Sequence, residues 1–262
     1  MLVAVLIVGG KFLLTSPKLA IRQVVVDGVQ TINQQDLAST AAVPPRSNIF
    51  LFVLRHRKEY CRKVAASSPV IQSASIGVDF PNTLRLHIVE RQPFTVLHLQ
   101  NGPSYLMDIH RVAFRIIAPN ESDLPVVTVP ASTNAIVLGQ SLPEDTDARV
   151  IAGYNLIGLV TSRQIGQLSE YREVIVDPYS NVSLVLHNDL VIKLGQPDGL
   201  ADRLALTETY LAADPGLPAK AQYLDFTSTS PAIMPKQAPL TALSGTAIPP
   251  QNFEPLKPES TQ

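Results

Sequence analysis

The stretch that decides the fold reads Ala74-Ser-Ile-Gly-Val-Asp-Phe-Pro-Asn-Thr-Leu-Arg-Leu-His-Ile-Val-Glu-Arg91. Apolar and polar residues alternate on both sides of Pro81-Asn82-Thr83, from Ala74 to Phe80 and again from Leu84 to Ile88. Alternation with a period of two is typical of a strand that buries one face, and Pro-Asn is common in turns. The stretch therefore predicts a β-hairpin with one apolar face, which needs a cover on that side only.

The cover is predicted from the residues that precede the hairpin. Apolar residues recur at helical spacing across residues 53–65 with basic residues mostly between them, and Pro69 comes after them, so an amphipathic helix is expected there. Asn33 is a candidate cap for a second short helix through residues 36–38, and Ile21–Val29 has the pattern of a strand. The order strand, helix, helix, strand, strand predicts a small α+β domain in which two helices cover a three-stranded sheet. The apolar positions of the longer helix are Val53, Leu54, Tyr60, Cys61, Val64 and Ala65.

Four segments of this region form a compound signature. They are Val24-Val-Val-Asp-Gly-Val29, Ser47-Asn-Ile-Phe50, Pro69-Val-Ile-Gln-Ser-Ala-Ser-Ile76 and Phe80-Pro-Asn-Thr-Leu-Arg-Leu-His-Ile-Val-Glu-Arg-Gln-Pro93. Together they resemble the POTRA domain of the bacterial cell division family FtsQ, called DivIB in Gram-positive bacteria. The alternative is any small α+β module with a hairpin, but such a module would not predict the pattern of the residues beyond Arg91.

Strand-like patterns continue after Arg91. The segment Tyr105-Leu-Met-Asp-Ile-His-Arg-Val-Ala-Phe114 resembles a family pattern in which Asp108 is kept and Arg111 replaces a glycine, so a different type of turn is expected. The sequence next predicts a helix that Asp145 or Thr146 caps and that runs to Val160, a hairpin about residues 187–189, a helix over Asp202–Leu211 and a last strand at residues 223–226. The resemblance covers residues 19–227 and implies a POTRA domain at 19–91 and a strand-rich α+β FtsQ-type β domain at 92–227.

The two ends of the chain differ from the middle. Met1–Gly10 and Phe12–Leu14 are apolar but shorter than the roughly 20 residues that a spanning helix needs. A cleaved signal peptide, a buried first strand and a transmembrane helix with a clipped start all fit residues 1–16. The third is preferred, because the family resemblance implies a single-pass protein of the cytoplasmic (inner) membrane with its bulk outside the cytoplasm at the division septum. Residues 228–262 hold seven prolines and predict a disordered tail.

Composition and motifs argue against catalysis and against metal or nucleotide binding. The formal net charge of −1 favours neither nucleic acid nor an acidic ligand, and the single cysteine, Cys61, excludes an internal disulfide or a cysteine metal cluster. The five histidines are scattered, and no nucleophile elbow or phosphate loop occurs. Glu90 is expected to pair with Arg91 or Arg85 or to cap the domain junction. The chain is therefore interpreted as a non-enzymatic protein without cofactor, metal or small-molecule substrate.

Binding is argued from sheet edges and from one basic helix. Unpaired strand edges accept strands from partners, and the resemblance implies that the final strand docks FtsB, which pairs with FtsL. That edge is Tyr223, Leu224, Asp225, Phe226, Thr227 and Ser228, unless this strand is merely core or the Pro-rich tail folds over it. The basic face of residues 55–63 fits a solvated surface, contact with anionic lipid or a partner, or, least well, nucleic acid.

The predicted function is a scaffold that links early division proteins to the FtsB–FtsL pair and to septal wall synthesis. The alternative is a POTRA-bearing transport or outer-membrane assembly factor with chaperone-like peptide binding. Such a factor would be expected to carry repeated POTRA modules and a barrel of many alternating strands, and the sequence shows neither pattern.

Overall fold

The structure is a computed structural model, and it describes residues 16–33, 37, 39, 41–44, 47–118, 121–131, 135–163, 171–228 and 230–236. Within these residues the strands form two sheets, one of three strands and one of nine. The division into a small and a large α+β unit agrees with the predicted fold class.

The small sheet contains β1 (Gln23–Asp27), β2 (Ile71–Asp79) and β3 (Thr83–Glu90), with helix α1 (Ile49–Ala65) between β1 and β2 in the chain. The strand order is β1–β3–β2. Strands β2 and β3 pair antiparallel, which confirms the predicted hairpin, and β1 pairs parallel with β3. Parallel neighbours need a crossover connection, and the segment that contains α1 provides it.

The apolar face of the hairpin lies under α1. Leu84, Leu86 and Ile88 are almost completely buried, whereas the residues between them face solvent. Helix α1 begins after Asn48, whose side-chain oxygen accepts hydrogen bonds from the backbone N–H groups of residues 50 and 51 at 3.0 and 3.3 Å. An asparagine at this position satisfies amide groups that have no partner within the helix. The helix residues buried in this core are Ile49, Phe52, Tyr60 and Val64.

Two residues assigned to the apolar face are exposed instead. Leu54 is 82% exposed because it lies about 160° around α1 from the buried Phe52, and Phe80 is 67% exposed because it stands at the tip of the hairpin. Both predictions were therefore wrong, Leu54 because it is on the solvent side of the helix and Phe80 because it lies where the hairpin turns.

The second predicted helix is described only in part. The backbone N–H of Leu37 donates to the carbonyl of Asn33 at 3.2 Å, and that of Ala41 donates to the carbonyl of Leu37 at 2.8 Å. These are helical hydrogen bonds between residues four apart. The intervening residues 34–36, 38 and 40 lie outside the described residues.

Glu90 ends β3 and holds the loop that follows β1. Its carboxylate is buried and accepts hydrogen bonds from the backbone N–H groups of Gln30, Thr31 and Ile32 at 2.8, 3.0 and 3.3 Å, and from the Thr31 hydroxyl at 2.6 Å. Burial raises the pKa of Glu90, but these hydrogen bonds outweigh burial and hold the pKa below its usual range. The expected ion pair with Arg91 or Arg85 was wrong, since the loop amides take the carboxylate.

The large sheet has the strand order β12–β11–β10–β9–β8–β7–β4–β5–β6. The pairs β4–β7, β7–β8 and β10–β11 are parallel, and the remaining pairs are antiparallel. Its strands are β4 (Thr95–Leu99), β5 (Ser104–Met107), β6 (Ala113–Ile117), β7 (Val126–Val129), β8 (Tyr171–Val176), β9 (Val182–Leu186), β10 (Val191–Gly195), β11 (Ala221–Asp225) and β12 (Ala232–Pro235). Its helices are α2 (Glu144–Arg163), α3 (Leu200–Ala213) and the short α4 (Leu217–Lys220).

The core of the large sheet lies on the face that α2 and α3 cover. Helix α2 connects β7 to β8, and α3 connects β10 to β11, so both belong to crossovers between parallel strands. Leu156 and Leu204 from these helices are fully buried in one cluster with Leu97 and Leu184 of the sheet. Val96 is adjacent to Leu97 in β4 and therefore lies on the opposite face, within a smaller apolar cluster.

Asp108 connects the two sheets. Its carboxylate lies 2.5 Å from the Arg91 guanidinium, and both side chains are largely buried. The same carboxylate accepts hydrogen bonds from the backbone N–H groups of His110 and Val112, each at 2.9 Å. Arg91 also donates to the carbonyl of Pro69 at 3.1 Å. The end of the small domain and the turn between β5 and β6 are therefore held by one buried acid.

Arg111 occupies the position where the family pattern has glycine. Its φ is 63°, in the left-handed region that glycine adopts most readily. Arginine thus adopts here a conformation that favours glycine. Its guanidinium pairs with Asp147 of α2 at 2.7 Å.

Candidate partner-binding edge

Strand β11 contains the first three of the six residues predicted to bind a partner, and it is not at the edge of the sheet. It pairs with β10 on one side, where Tyr223, Leu224 and Asp225 face Val191, Ile192 and Lys193. On the other side it pairs with β12, where Leu224 faces Ile233. The prediction that residues 223–226 form the last strand was therefore wrong, and so was the prediction of disorder from residue 228 onward for residues 232–235.

Strand β12 is the terminal strand of this sheet among the described residues. All four of its residues are exposed, and Ile233 and Met234 keep 47% and 43% of their surface. The backbone N–H of Lys236 donates to the carbonyl of Lys220 at 2.8 Å, so the backbone groups of residue 236 face the side of β11. Backbone groups alternate in direction along an antiparallel strand. The backbone N–H and C=O groups of residues 231, 233 and 235 therefore face away from β11, toward the open side of the sheet.

The two prolines of this segment occupy positions that a strand can accept. Pro231 and Pro235 occupy two of the three outward positions, where the missing N–H removes no bond of the ladder. Ile233 is then the one residue of the three that offers an outward N–H donor. Prolines on an outer edge limit unwanted strand pairing, and here they leave one outward amide donor between them, at Ile233.

The six predicted residues have different environments. Leu224 and Phe226 are buried, and the Phe226 ring packs edge to face on Tyr210 with 5.6 Å between centroids. The Lys193 ammonium lies 4.0 Å from the centroid of the Tyr223 ring. Thr227 and Ser228 are exposed in the turn that leads to β12.

Asp225 closes that turn. It accepts hydrogen bonds from the backbone N–H of Thr227 at 3.0 Å and from the Thr227 hydroxyl at 2.6 Å. Partial burial raises the pKa of Asp225, but the bonds from Thr227 and the charge of Lys193 outweigh burial and lower the pKa below its usual value. The ionised carboxylate therefore stabilises the reversal of the chain between β11 and β12.

Comparison with known proteins agrees with this architecture. Residues 19–91 match the family described as POTRA domain, FtsQ-type. The chain is 26% identical over 201 residues to the cell division protein FtsQ of Anaeromyxobacter sp. (strain K), which covers 76% of the chain and 64% of that protein. Residues 19–91 thus match an FtsQ-type POTRA domain, and the chain is similar to proteins named FtsQ.

Two further relatives carry the same name. The FtsQ protein of Mycolicibacterium smegmatis is 30% identical over 156 residues, 57% of the chain and 45% of that protein. The FtsQ protein of Mycobacterium leprae (strain Br4923) is 27% identical over 217 residues, 80% of the chain and 58% of that protein. The chain thus spans less than two thirds of the length of each of these three relatives.

The predicted membrane segment is not tested by the fold. Within the described ranges, no helix has the length and apolar character needed to cross a bilayer. The prediction falls on residues 1–16, of which residues 1–15 lie outside those ranges.

One further polar pair of the large sheet lies beside a cavity. His98 Nδ1 lies 2.9 Å from the Ser104 hydroxyl beside a cavity of about 290 Å³, but the nearby Glu173 accepts a hydrogen bond from Thr128. A Ser-His pair needs an acid that orients the imidazole before it resembles a hydrolase site. Across the part of the chain that the structure describes, no three His, Cys, Asp or Glu residues are grouped so as to hold a metal ion.

Proposed function

We propose that the protein is a non-enzymatic scaffold of bacterial cell division that binds partner proteins by strand addition at the β12 end of the large sheet. The observation that supports this proposal most directly is a nine-stranded sheet that ends in a short, exposed strand with one outward amide donor. The similarity of the chain to proteins named cell division protein FtsQ supports the cellular role.

The partner proposed for this edge is the FtsB–FtsL pair. A strand of FtsB would lie along β12 and exchange backbone hydrogen bonds around Ile233, while Tyr223–Asp225 in β11 support β12 from the inner side. The exposed side chains of Ile233 and Met234 would add apolar contact. The protein would be anchored by residues 1–16 in the cytoplasmic membrane, with both sheets outside the cytoplasm at the septum.

The experiment is a binding titration of the full chain in detergent or nanodiscs with the FtsB–FtsL pair of the same organism. Ile233→Pro removes the outward donor, and Ile233→Ala is the matched control that removes the same side chain but keeps the donor. We expect a loss of affinity of about tenfold or more for the proline variant, and a several-fold smaller loss for alanine. Equal losses would mean that side-chain contact, rather than strand pairing, carries the binding.

A chain that ends at Ser228 separates two ways of using the same end of the sheet. If the partner pairs with β12, this truncation abolishes binding. If the partner replaces β12 and pairs with Tyr223–Ser228, the truncation exposes the β11 edge and raises the affinity. Absence of binding by the wild-type chain at high concentration would contradict the scaffold proposal itself.

A further inference from the structure

Three large apolar side chains form an exposed patch at one end of the small domain. Phe50, Leu54 and Phe80 are 39%, 82% and 67% exposed. The rings of Phe50 and Phe80 have 5.5 Å between their centroids, and Leu54 lies one helical turn after Phe50. Single exposed apolar residues are ordinary, but a contiguous group that includes two aromatic rings indicates a contact surface. We refer to these three residues as the apolar patch.

Basic residues continue the apolar patch along α1. Arg57 and Lys58 follow Leu54 by three and four residues, so they lie on the same side of the helix, and both are exposed. Glu59 lies about 140° around the helix from Leu54, which places it away from the patch.

The small domain as a whole is positively charged. Residues 19–91 contain nine Lys and Arg against five Asp and Glu, a formal net charge of +4, whereas the whole chain carries −1. Two of the acids, Asp27 and Asp79, pair with Arg85 on the sheet face that α1 does not cover. Glu90 is held inside the loop after β1. The side that carries the apolar patch therefore presents positive charge with few opposing carboxylates.

The chain enters the domain beside the apolar patch. Ala20 forms a bridge with Asn48, two residues before Phe50, and the backbone N–H of Arg22 donates to the carbonyl of Asn82, two residues after Phe80, at 2.9 Å. The chain that precedes Ser16 is apolar in sequence at residues 1–10 and 12–14. If this segment enters lipid, the apolar patch is the part of the domain held nearest to the bilayer.

We propose that the apolar patch docks the small domain onto an anionic lipid bilayer. Phe50, Leu54 and Phe80 enter the boundary between headgroups and acyl chains, and Arg57 and Lys58 contact lipid phosphates. Aromatic and leucine side chains beside cations are the composition of surfaces that bind this boundary. The docking goes beyond the scaffold role, because it concerns the other end of the molecule and is independent of which partner binds β12.

The chain contains no tryptophan, which allows a single-tryptophan reporter. Phe80→Trp in the full chain is mixed with vesicles of phosphatidylcholine and phosphatidylglycerol whose acyl chains carry bromine. We expect fluorescence quenching and a shift of emission to shorter wavelength. The matched control is Tyr179→Trp, at a residue that is 79% exposed in the turn between β8 and β9, and it is expected to stay unquenched.

The charge contribution is tested in the Phe80→Trp background. Arg57→Gln with Lys58→Gln is expected to lower the docked fraction, by about fivefold in the docking equilibrium for each charge removed. The matched control removes two exposed charges from the large sheet, Arg115→Gln with Arg172→Gln, and is expected to leave quenching unchanged. Thermal unfolding of each variant checks that the fold is retained.

Each other outcome contradicts the proposal. If the chain floats with vesicles but the Phe80→Trp reporter is not quenched, the apolar patch does not enter the bilayer. A shifted but unquenched emission means that protein, rather than lipid, covers the patch. Equal quenching in pure phosphatidylcholine vesicles would show that docking does not depend on anionic lipid. Absence of vesicle association by the full chain overturns the docking directly.

Discussion

The two ends of the large sheet are finished in opposite ways. At the β6 end, the backbone N–H of Gly139 donates to the carbonyl of Ala113 at 2.8 Å, and Ser141 forms a bridge with Val112. At the β12 end, all four strand residues are exposed, and no described strand lies beyond them. A sheet therefore need not protect both edges alike, since one is closed by the chain itself and the other only by prolines.

The closed end also carries the junction with the small domain. Asp108 precedes β6 and pairs with Arg91, and Gly139 approaches Pro69. Among the described residues, the open end has no comparable buried pair. We therefore expect perturbations of the closed end to change the stability of the molecule, and perturbations of the open end to change mainly its binding.

The largest expected effect is that of Asp108→Ala. This variant leaves the Arg91 guanidinium buried without its carboxylate and removes the acceptor for two backbone N–H groups. We expect a loss of about 3–5 kcal/mol in the free energy of unfolding, measured by urea titration. Asp108→Asn keeps an acceptor for the turn and is expected to lose less. Equal, small losses for both variants would show that the junction is held elsewhere.

Gly139→Ala tests how the closed edge is held. Gly139 has a φ of 80°, and a Cβ atom there would lie 3.2 Å from the Cα of Pro69. We expect a loss of about 1–2 kcal/mol in the free energy of unfolding. Gly158→Ala in α2 is the matched control, because a Cβ there meets no atom within 4 Å, and it is expected to stabilise the protein slightly. Similar effects at both positions would contradict the closing role of Gly139.

The open end is expected to depend on pH through Asp225. Its pKa is lower in the folded protein, so its contribution to stability is complete above the pKa of the unfolded chain, about 3.9. The contribution is lost as the pH falls through the lowered folded pKa. Asp225→Asn is expected to cost about 1 kcal/mol at neutral pH. The difference in unfolding free energy between wild type and variant should shrink in acid, and a constant difference down to about pH 2 would contradict the role of its charge.

The smallest effect on stability is expected when the chain ends at Ser228. The removed strand β12 is exposed throughout, so its loss uncovers little apolar area. We expect a change of about 1 kcal/mol or less in the free energy of unfolding, measured by urea titration beside Gly139→Ala. A loss larger than that of Gly139→Ala would show that β12 is part of the core fold and would remove the contrast between the two ends.

Local patterns predicted much of the fold. The hairpin β2–β3, helix α1 and the hairpin β9–β10 are accounted for by alternation, helical spacing and turn residues close together in the chain. Strand β12 could not be predicted in this way, because Pro231 precedes it, Pro235 is its last residue, and its residues show no alternation. Proline is compatible with a strand only if its position points outward, and that direction depends on the register with β11.

The candidate site could also be predicted only as far as local sequence patterns reach. Asp225 and Phe226 were selected because the end of the β domain resembles that of its family, and the structure places both next to the true edge rather than on it. Glu90 was expected to pair with Arg91 or Arg85 or to cap the domain junction, but the amides that bind it come from a loop about sixty residues earlier. Contacts across such distances in sequence leave no local signal.

The amino-acid sequence by itself determined the small α+β domain, its family and the strand-rich character of the rest, because these depend on periodicity and on short motifs. Tertiary structure alone decided the order of the nine strands and hence which strand is left at the edge, since β4 pairs with β7 and β10 with β11 across intervening segments. It also decided that Leu54 and Phe80 stay exposed, because α1 buries the side that carries Ile49 and Phe52 and the hairpin turns at Phe80. Burial and edges are properties of the assembled chain, and therefore the proposed binding surfaces could be located only after assembly.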